Sequence, residues 1–289
     1  MNESVTRDEI LRAAATVGML QLRNAAGSNL LAALCDLRSD AKELASLVDR
    51  EPGLAARVLR VANSAFYGLA RSVSTVERAL VVLGIDAVRG IAAASCMDRG
   101  LQRRGEAAVL DLTAVVKHCL GTAIAADALA RLGPRRQAGE AFMAGLLHNL
   151  GLPIQARLDQ PGMMQLVTEL ATDPNASVRE LESRLVRVGH EECAGVLFES
   201  WNLPAVLCDA ARHHHAPFEI TVGENRTVAL LVHVAAGHAA RRLPRPAAEP
   251  LGAPDEERCL ATLGIEPGAV EKVLEDLPGR VGLLMSGGD

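Results

Sequence analysis

Residues 51–64, EPGLAARVLRVANS, carry a helix start, a helix stop and the apolar period between them. Pro52 sits where a first-turn proline belongs, since the N–H it lacks is one that the first turn leaves unbonded in any case. Leu54, Val58, Val61 and Ala62 fall on one stripe at helical spacing, and Leu59, mid-helix, is expected in the core with them. The same punctuation recurs on both sides. Ser74-Thr75-Val76-Glu77 and Ser177-Val178-Arg179-Glu180 have the form of a capping box, in which the first hydroxyl and the later carboxylate satisfy exposed backbone N–H groups. Helices are expected near 8–22, 29–37, 40–50, 52–63, from the Ser74 box to a stop at Gly84, and near 86–97, 107–132, 138–151, 162–171, 177–188, 190–200, 204–214 and 224–241. Two short ones follow between Cys259 and Leu277, the second opened by Pro267.

Composition points the same way. The 289 residues include 48 Ala and 42 Leu, while aromatics make up 2%. Ala and Leu are strong helix formers, β-branched and aromatic runs are scarce, and no stretch alternates with period two. The fold class is all-α. A hydrophobic share of 49% against 22% charged residues excludes disorder over most of the length. The polar, glycine-broken stretch DRGLQRRGE, Asp98 to Glu106, is the best internal boundary. It divides the chain into 1–105, a smaller helical bundle, and 106–245, a larger one, before a Pro/Ala-rich loop and short helices at 246–289.

A net charge of -5 argues against nucleic acid or anionic membrane as a partner, because such footprints need clustered positive charge. The arginine pairs Arg103-Arg104, Arg135-Arg136 and Arg241-Arg242 read as solvated loop ends. Six cysteines without a CxxC pair, mostly in apolar helical stretches, read as small buried hydrophobes in a reducing compartment. The first ten residues hold Glu3, Arg7, Asp8 and Glu9, so no secretory apolar region is expected, nor is a membrane span in the uncharged run Ala141 to Ala156. The expected location is the cytoplasm.

Eight histidines carry most of the chemistry. His118 lies on the buried stripe of its helix, His148 ends the apolar run AFMAGLLHNLG, and His190 shares a stripe with Ala194, Leu197 and Trp201. His213, His214 and His215 are consecutive at a helix end, and His233 and His238 lie on the helix after them. Helices of a bundle turn their stripes to a common axis, so these imidazoles can converge on a metal; each can equally be a core histidine bonded to a carbonyl. A hydrolytic divalent centre also needs carboxylates, yet the residue beside His148 is Asn149. The Asn63-Ser64 pair has two readings as well, a polar pocket or partner surface, or a helix-ending turn whose side chains bond the loop backbone.

EPGLAARVLRVANSAFYG, then VSTVERALVVLGIDAVRGIAAAS, and later FMAGLLHNLGLPI, ESWNLPAVLCDAARHHHAP and LLVHVAAGHAARR, resemble in order the segments of HDOD domains, the HD-related output domains of bacteria. The resemblance covers roughly residues 25–245 and implies an HD-like helical bundle behind a smaller N-terminal one. HDOD domains look like relatives of metal-dependent HD phosphohydrolases whose motif is a His, a His-Asp pair and a later Asp. By this resemblance these positions fall on His118, His148, Asn149 and Ala236, so both carboxylates are missing. The extra histidines of cyclic-dinucleotide phosphodiesterases fall on His190, His213 and His214, without the glycine-tyrosine-proline signature that accompanies them.

The resemblance thus implies a non-catalytic signalling module, not an enzyme, acting through protein–protein contacts with components of two-component or cyclic-dinucleotide pathways. No cofactor and no metal are expected; were a metal held, His118 and His148 would be its ligands. Two other readings stay open. One is a metal-dependent phosphohydrolase using His118, His148, His190, His213 and His214, and the other a sensor that binds a nucleotide or metal without turnover.

Overall fold

The computed structural model describes residues 11–13, 40–63, 67, 69, 72–85, 87–92, 95, 109–133, 135–173, 176–201, 203–250 and 252–285. The expected helix at 29–37, most of that at 8–22, the proposed boundary at 98–106, and Ser64, Cys35 and Cys96 lie outside the described residues. Fourteen α-helices are bounded within them, and no strand occurs among them.

Three helices form the N-terminal group: α1 (Ala41–Asp49), α2 (Pro52–Ala62) and α3 (Val76–Leu83), each packed on the other two. Asp40 caps α1, its Oδ1 accepting from the backbone N–H of Lys42 and Glu43 at 2.9 Å. Pro52 opens α2 as its sequence requires, and Leu54, Val58, Val61 and Ala62 are buried. Asn63 belongs to the structural reading of its pair. Its amide donates to the carbonyls of Leu59 and Val73, and its oxygen accepts from the Val73 N–H at 2.6 Å, clipping the loop to the helix end. Leu59 departs from expectation. It is half-buried against the rim of the core, because helical spacing turns it away from the stripe centred on Val58. Leu54→Ala should therefore cost about 2–5 kcal/mol and Leu59→Ala distinctly less. Equal losses in denaturant melts would show that both faces of α2 are covered.

The larger group is built around α4 (Leu112–Leu132), capped by Asp111. It is long and apolar enough to cross a membrane, but 78% of its apolar window is buried inside the fold, where it packs against α5 (Ala138–Leu147) and α11 (Glu224–Arg242). Burial on all sides explains why α4 has apolar residues around its whole circumference. After α5 come α6 (Gly151–Leu158), α7 (Gln160–Thr172), α8 (Val178–Leu185), α9 (His190–Ser200) and α10 (Ala205–His213). The helix expected over 138–151 therefore ends at Leu147, and the His148-Asn149-Leu150 turn separates it from α6, which was not anticipated.

The last elements are α12 (Glu256–Leu263), α13 (Pro267–Val273) and α14 (Leu277–Met285). The third of these was also unexpected; it buries Leu277, Val281 and Leu284 against the main core. That core is continuous from Leu44 to Leu284. A second cluster gathers Leu152, Met163, Leu166, Leu170, Val178 and Leu181 around Ala248, a residue of the segment between α11 and α12. Trp201 is half-buried and stacks on Phe198 with centroids 6.1 Å apart. Cys119, Cys193, Cys208 and Cys259 are free and buried.

Helix α12 is held to α11 by Glu256, whose carboxylate pairs with His238 at 2.8 Å and Arg241 at 2.9 Å. The hydrogen bond from His238, with help from Arg241, holds the Glu256 carboxyl at about 2 against the upward push of burial. A carboxyl depressed by folding stabilises the fold above its ordinary value of about 4.3 and loses that contribution as pH falls through its folded value. Thermal melts of the wild type and Glu256→Gln should therefore differ at pH 6 and converge as pH approaches 2. A gap that stays constant into acid would show that the Glu256 pairs do not stabilise the fold.

Candidate functional site

Four chain segments deliver imidazoles to one buried point. His118 comes from the middle of α4, His148 caps the C-terminus of α5, His190 opens α9, and His214 and His215 follow α10. Ring centroids lie 5.4 Å apart for His118–His148, 4.8 Å for His148–His214, 5.1 Å for His190–His214 and 5.1 Å for His190–His215. His118, His148 and His190 are fully buried.

The ring orientations are fixed by what each second nitrogen meets. His148 Nδ1 donates to the Gly145 carbonyl at 2.7 Å, and His214 Nδ1 to the Ala211 carbonyl at 2.9 Å. A carbonyl only accepts, so both rings carry their proton on Nδ1 and turn Nε2 inward as a lone pair. His190 Nδ1 faces Glu182 Oε1 at 2.7 Å, and the same oxygen accepts from the His190 backbone N–H and from Gln155. Glu182 thus anchors the start of α9 to α8 and α6. Burial pushes the Glu182 carboxyl up, but His190 and Gln155 hold it below its ordinary range.

Burial drives His118 down to about 3, with the Arg245 charge adding to it, and likewise takes His148 and His214 well below the usual imidazole value. His190 is the exception: burial would lower it, but the charge and hydrogen bond of Glu182 raise it to about 9. His118, His148 and His214 therefore carry the neutral imidazole that a metal needs, whereas His190 would have to give up a proton to bind one.

Several polar atoms at this point have no hydrogen-bond partner: both nitrogens of His118, His148 Nε2, both amide atoms of Asn149, His215 Nε2 and Glu249 Oε1. Buried polar groups are almost always paired, so such a concentration calls for a bound species or a proton shared among them.

Glu249 was not anticipated. It lies in the Pro/Ala-rich segment that follows α11 and is 1% exposed, facing the histidines. Burial raises its carboxyl to about 7, opposed by His190 and the neighbouring Asn149 amide. The segment is well seated. Ala248 is fully buried, Arg245 donates to the Glu249 carbonyl, and His233 joins the carbonyls of His214 and Pro254 at 2.6 and 2.7 Å. Gly237 on α11 makes room for it, since a Cβ there would lie 2.7 Å from Ala253. The one available signal in the sequence was a lone acid inside PRPAAEP, an apolar run with no other carboxylate.

Other candidates separate. His118, His148, Asn149, His190 and His214 come together. His213 does not: it turns to Glu219 at 3.4 Å and is 29% exposed, and its place is taken by His215. One residue of helical rotation decides this, and the run of three histidines hides it. Ala236 is buried on α11 and offers no ligand atom. Of the acids near the histidines in sequence, Asp127 pairs with Arg131, Glu199 with Arg212, and Asp209 accepts from Asn225. Glu191 alone among these reaches the cluster, accepting from the His215 N–H at 3.1 Å.

A family model described as HDOD domain matches residues 9–217. A Marinobacter aquaeolei VT8 chain described as "Putative signal transduction protein" superposes with a TM-score of 0.71 at 26% identity, over 90% of this chain and 57% of that one. A Shewanella amazonensis SB2B chain described as "Putative phosphohydrolase" superposes with a TM-score of 0.66 at 21% identity, over 94% and 97%. An uncharacterized protein of Treponema pallidum (strain Nichols) is 24% identical over 174 residues, which are 60% of this chain and 33% of that protein. The chain therefore spans about a third of the curated relative and 57% of the Marinobacter chain.

Proposed function

We propose, starting from a chain that belongs to the HDOD family, that it is a non-catalytic bacterial signal-transduction module acting through contacts with other proteins. The observation that carries this reading is the pairing of a retained histidine cluster with Asn149 and Ala236 at the two positions where the HD motif has its carboxylates. A metal held by the HD set needs those carboxylates to offset its charge and to fix the bound water that becomes the nucleophile. The HD set is therefore incomplete.

The partners fitting this reading are components of two-component or cyclic-dinucleotide pathways, met in the bacterial cytoplasm. Crosslinking in bacterial cells that produce the tagged chain should recover a signalling protein of one of these classes. Recovery of none, together with binding of a nucleotide by the purified chain, would replace the contact module with the sensor reading.

A further inference from the structure

We propose that His190, His214, His215 and Glu249 hold one divalent late-transition cation, best fitted by zinc, and that the ion locks the segment between α11 and α12 onto the histidine cluster. One ligand atom from each of these four side chains lies within 4.8 Å of the other three. Zinc ligands sit about 2.0–2.1 Å from the ion in a tetrahedron, which places neighbouring ligand atoms roughly 3.3 Å apart. His190 Nε2 and His214 Nε2 are 3.1 Å apart, already close to such an edge.

The hydrogen bonds leave those two nitrogens with a problem. With Nδ1 of His190 given to Glu182 and Nδ1 of His214 given to Ala211, the two Nε2 atoms face each other and would repel as lone pairs unless a proton or a cation lies between them. A cation between them resolves the repulsion. A proton would serve that pair, but His215 Nε2 and Glu249 Oε1 face each other at 4.0 Å, beyond hydrogen-bond distance, and would stay without one. A metal ion satisfies all four. The Glu182–His190 pair is then the outer carboxylate that orients a metal-bound imidazole.

Three nitrogens and one carboxylate oxygen suit zinc or a neighbour in its row, whereas magnesium and calcium require oxygen sets. A second group, His118, His148 and Glu249, offers three ligands only. An entry path exists, because His215 forms part of the wall of a surface cleft of about 370 Å³ beside Arg179, Arg241 and Pro254. Glu249 lies beyond residue 217, where the family match ends, so the fourth ligand comes from this chain's own C-terminal segment. The site does not depend on the non-hydrolytic reading, since metal occupancy without turnover leaves both standing.

The full chain, stripped with a chelator, should be titrated with Zn²⁺ and, separately, Co²⁺. About one ion per chain is expected by elemental analysis, with the intense visible absorption of four-coordinate Co²⁺. Glu249→Ala and the isosteric Glu249→Gln should each weaken binding at least tenfold, the scale at which even outer-shell partners act. Glu256→Gln, next to the segment but outside the cluster, should bind as the wild type does. Zinc should also slow amide hydrogen exchange at Ala247 and Ala248 in the wild type and not in Glu249→Ala. Uptake well below one ion per chain, a six-coordinate cobalt spectrum, or unchanged affinity in both Glu249 variants with intact helical circular dichroism would overturn the proposal.

Discussion

Cyclic dinucleotides and simple phosphodiesters should remain intact when incubated with the purified protein and added Mn²⁺, Fe²⁺ or Mg²⁺. Hydrolysis at such a centre requires a metal-bound water made nucleophilic at neutral pH and a carboxylate set that balances and places the ion. Asn149 is neutral and Ala236 has no ligand atom, so the HD pattern keeps two of its four groups, His118 and His148. Glu249 supplies a carboxylate from the segment after α11, at neither of the two HD carboxylate positions. Turnover that vanishes in His118→Ala and His148→Ala would overturn the output-module reading and make the chain a phosphohydrolase. In the absence of turnover, Asn149→Asp combined with Ala236→Asp should raise the number of ions retained after metal loading. An unchanged count would show that positions 149 and 236 do not face one ligand space with the two histidines.

Gly151→Ala should be among the most destabilising single changes in the chain. A Cβ at this position would lie 1.8 Å from the His190 carbonyl oxygen and 2.7 Å from its carbon, with the Ala194 nitrogen at 3.0 Å. These are backbone atoms, so no side chain can rotate away, and α6 must separate from α9. The expected cost is about 3 kcal/mol or more, at the upper end of overpacking effects. That corresponds to a fall in Tm of roughly 6–12 °C for a protein of this size. His190 would move with its carbonyl, so metal affinity should drop in the same variant. Gly53→Ala is the control, because nothing lies within 4 Å of a Cβ at Gly53 in α2. It should be neutral or stabilising by about 0.5–1 kcal/mol. A Gly151→Ala melt indistinguishable from the wild type would mean that α6 and α9 are not in contact.

The all-α class and most helices were legible because their signals are local. Pro52, the Thr75 and Ser177 caps and the stripe of Leu54, Val58, Val61 and Ala62 each act within a turn or two of their own position. The two helices not anticipated show where local signals end. Helix α6 has no side-chain cap and is fixed by the close approach of α9 at Gly151, and α14 is placed by burial of Leu277, Val281 and Leu284. Both causes lie far away in sequence.

The candidate site divides along the same line. By itself the sequence determined that His118 and His190 face inward, since helical period sets the face of a residue, and that Asn149 and Ala236 supply no metal-binding carboxylate. Only the tertiary structure decided between His213 and His215, because the choice depends on where α10 ends against α9 and not on the three identical residues. It alone brought Glu182 under His190 and Glu249 onto the cluster. Glu249 sits in an irregular segment with no period to orient it, and its burial follows from the seating of Ala248 and the closeness of Gly237 to Ala253. A helix states its buried face in its own spacing, whereas a loop acquires one only from what it packs against.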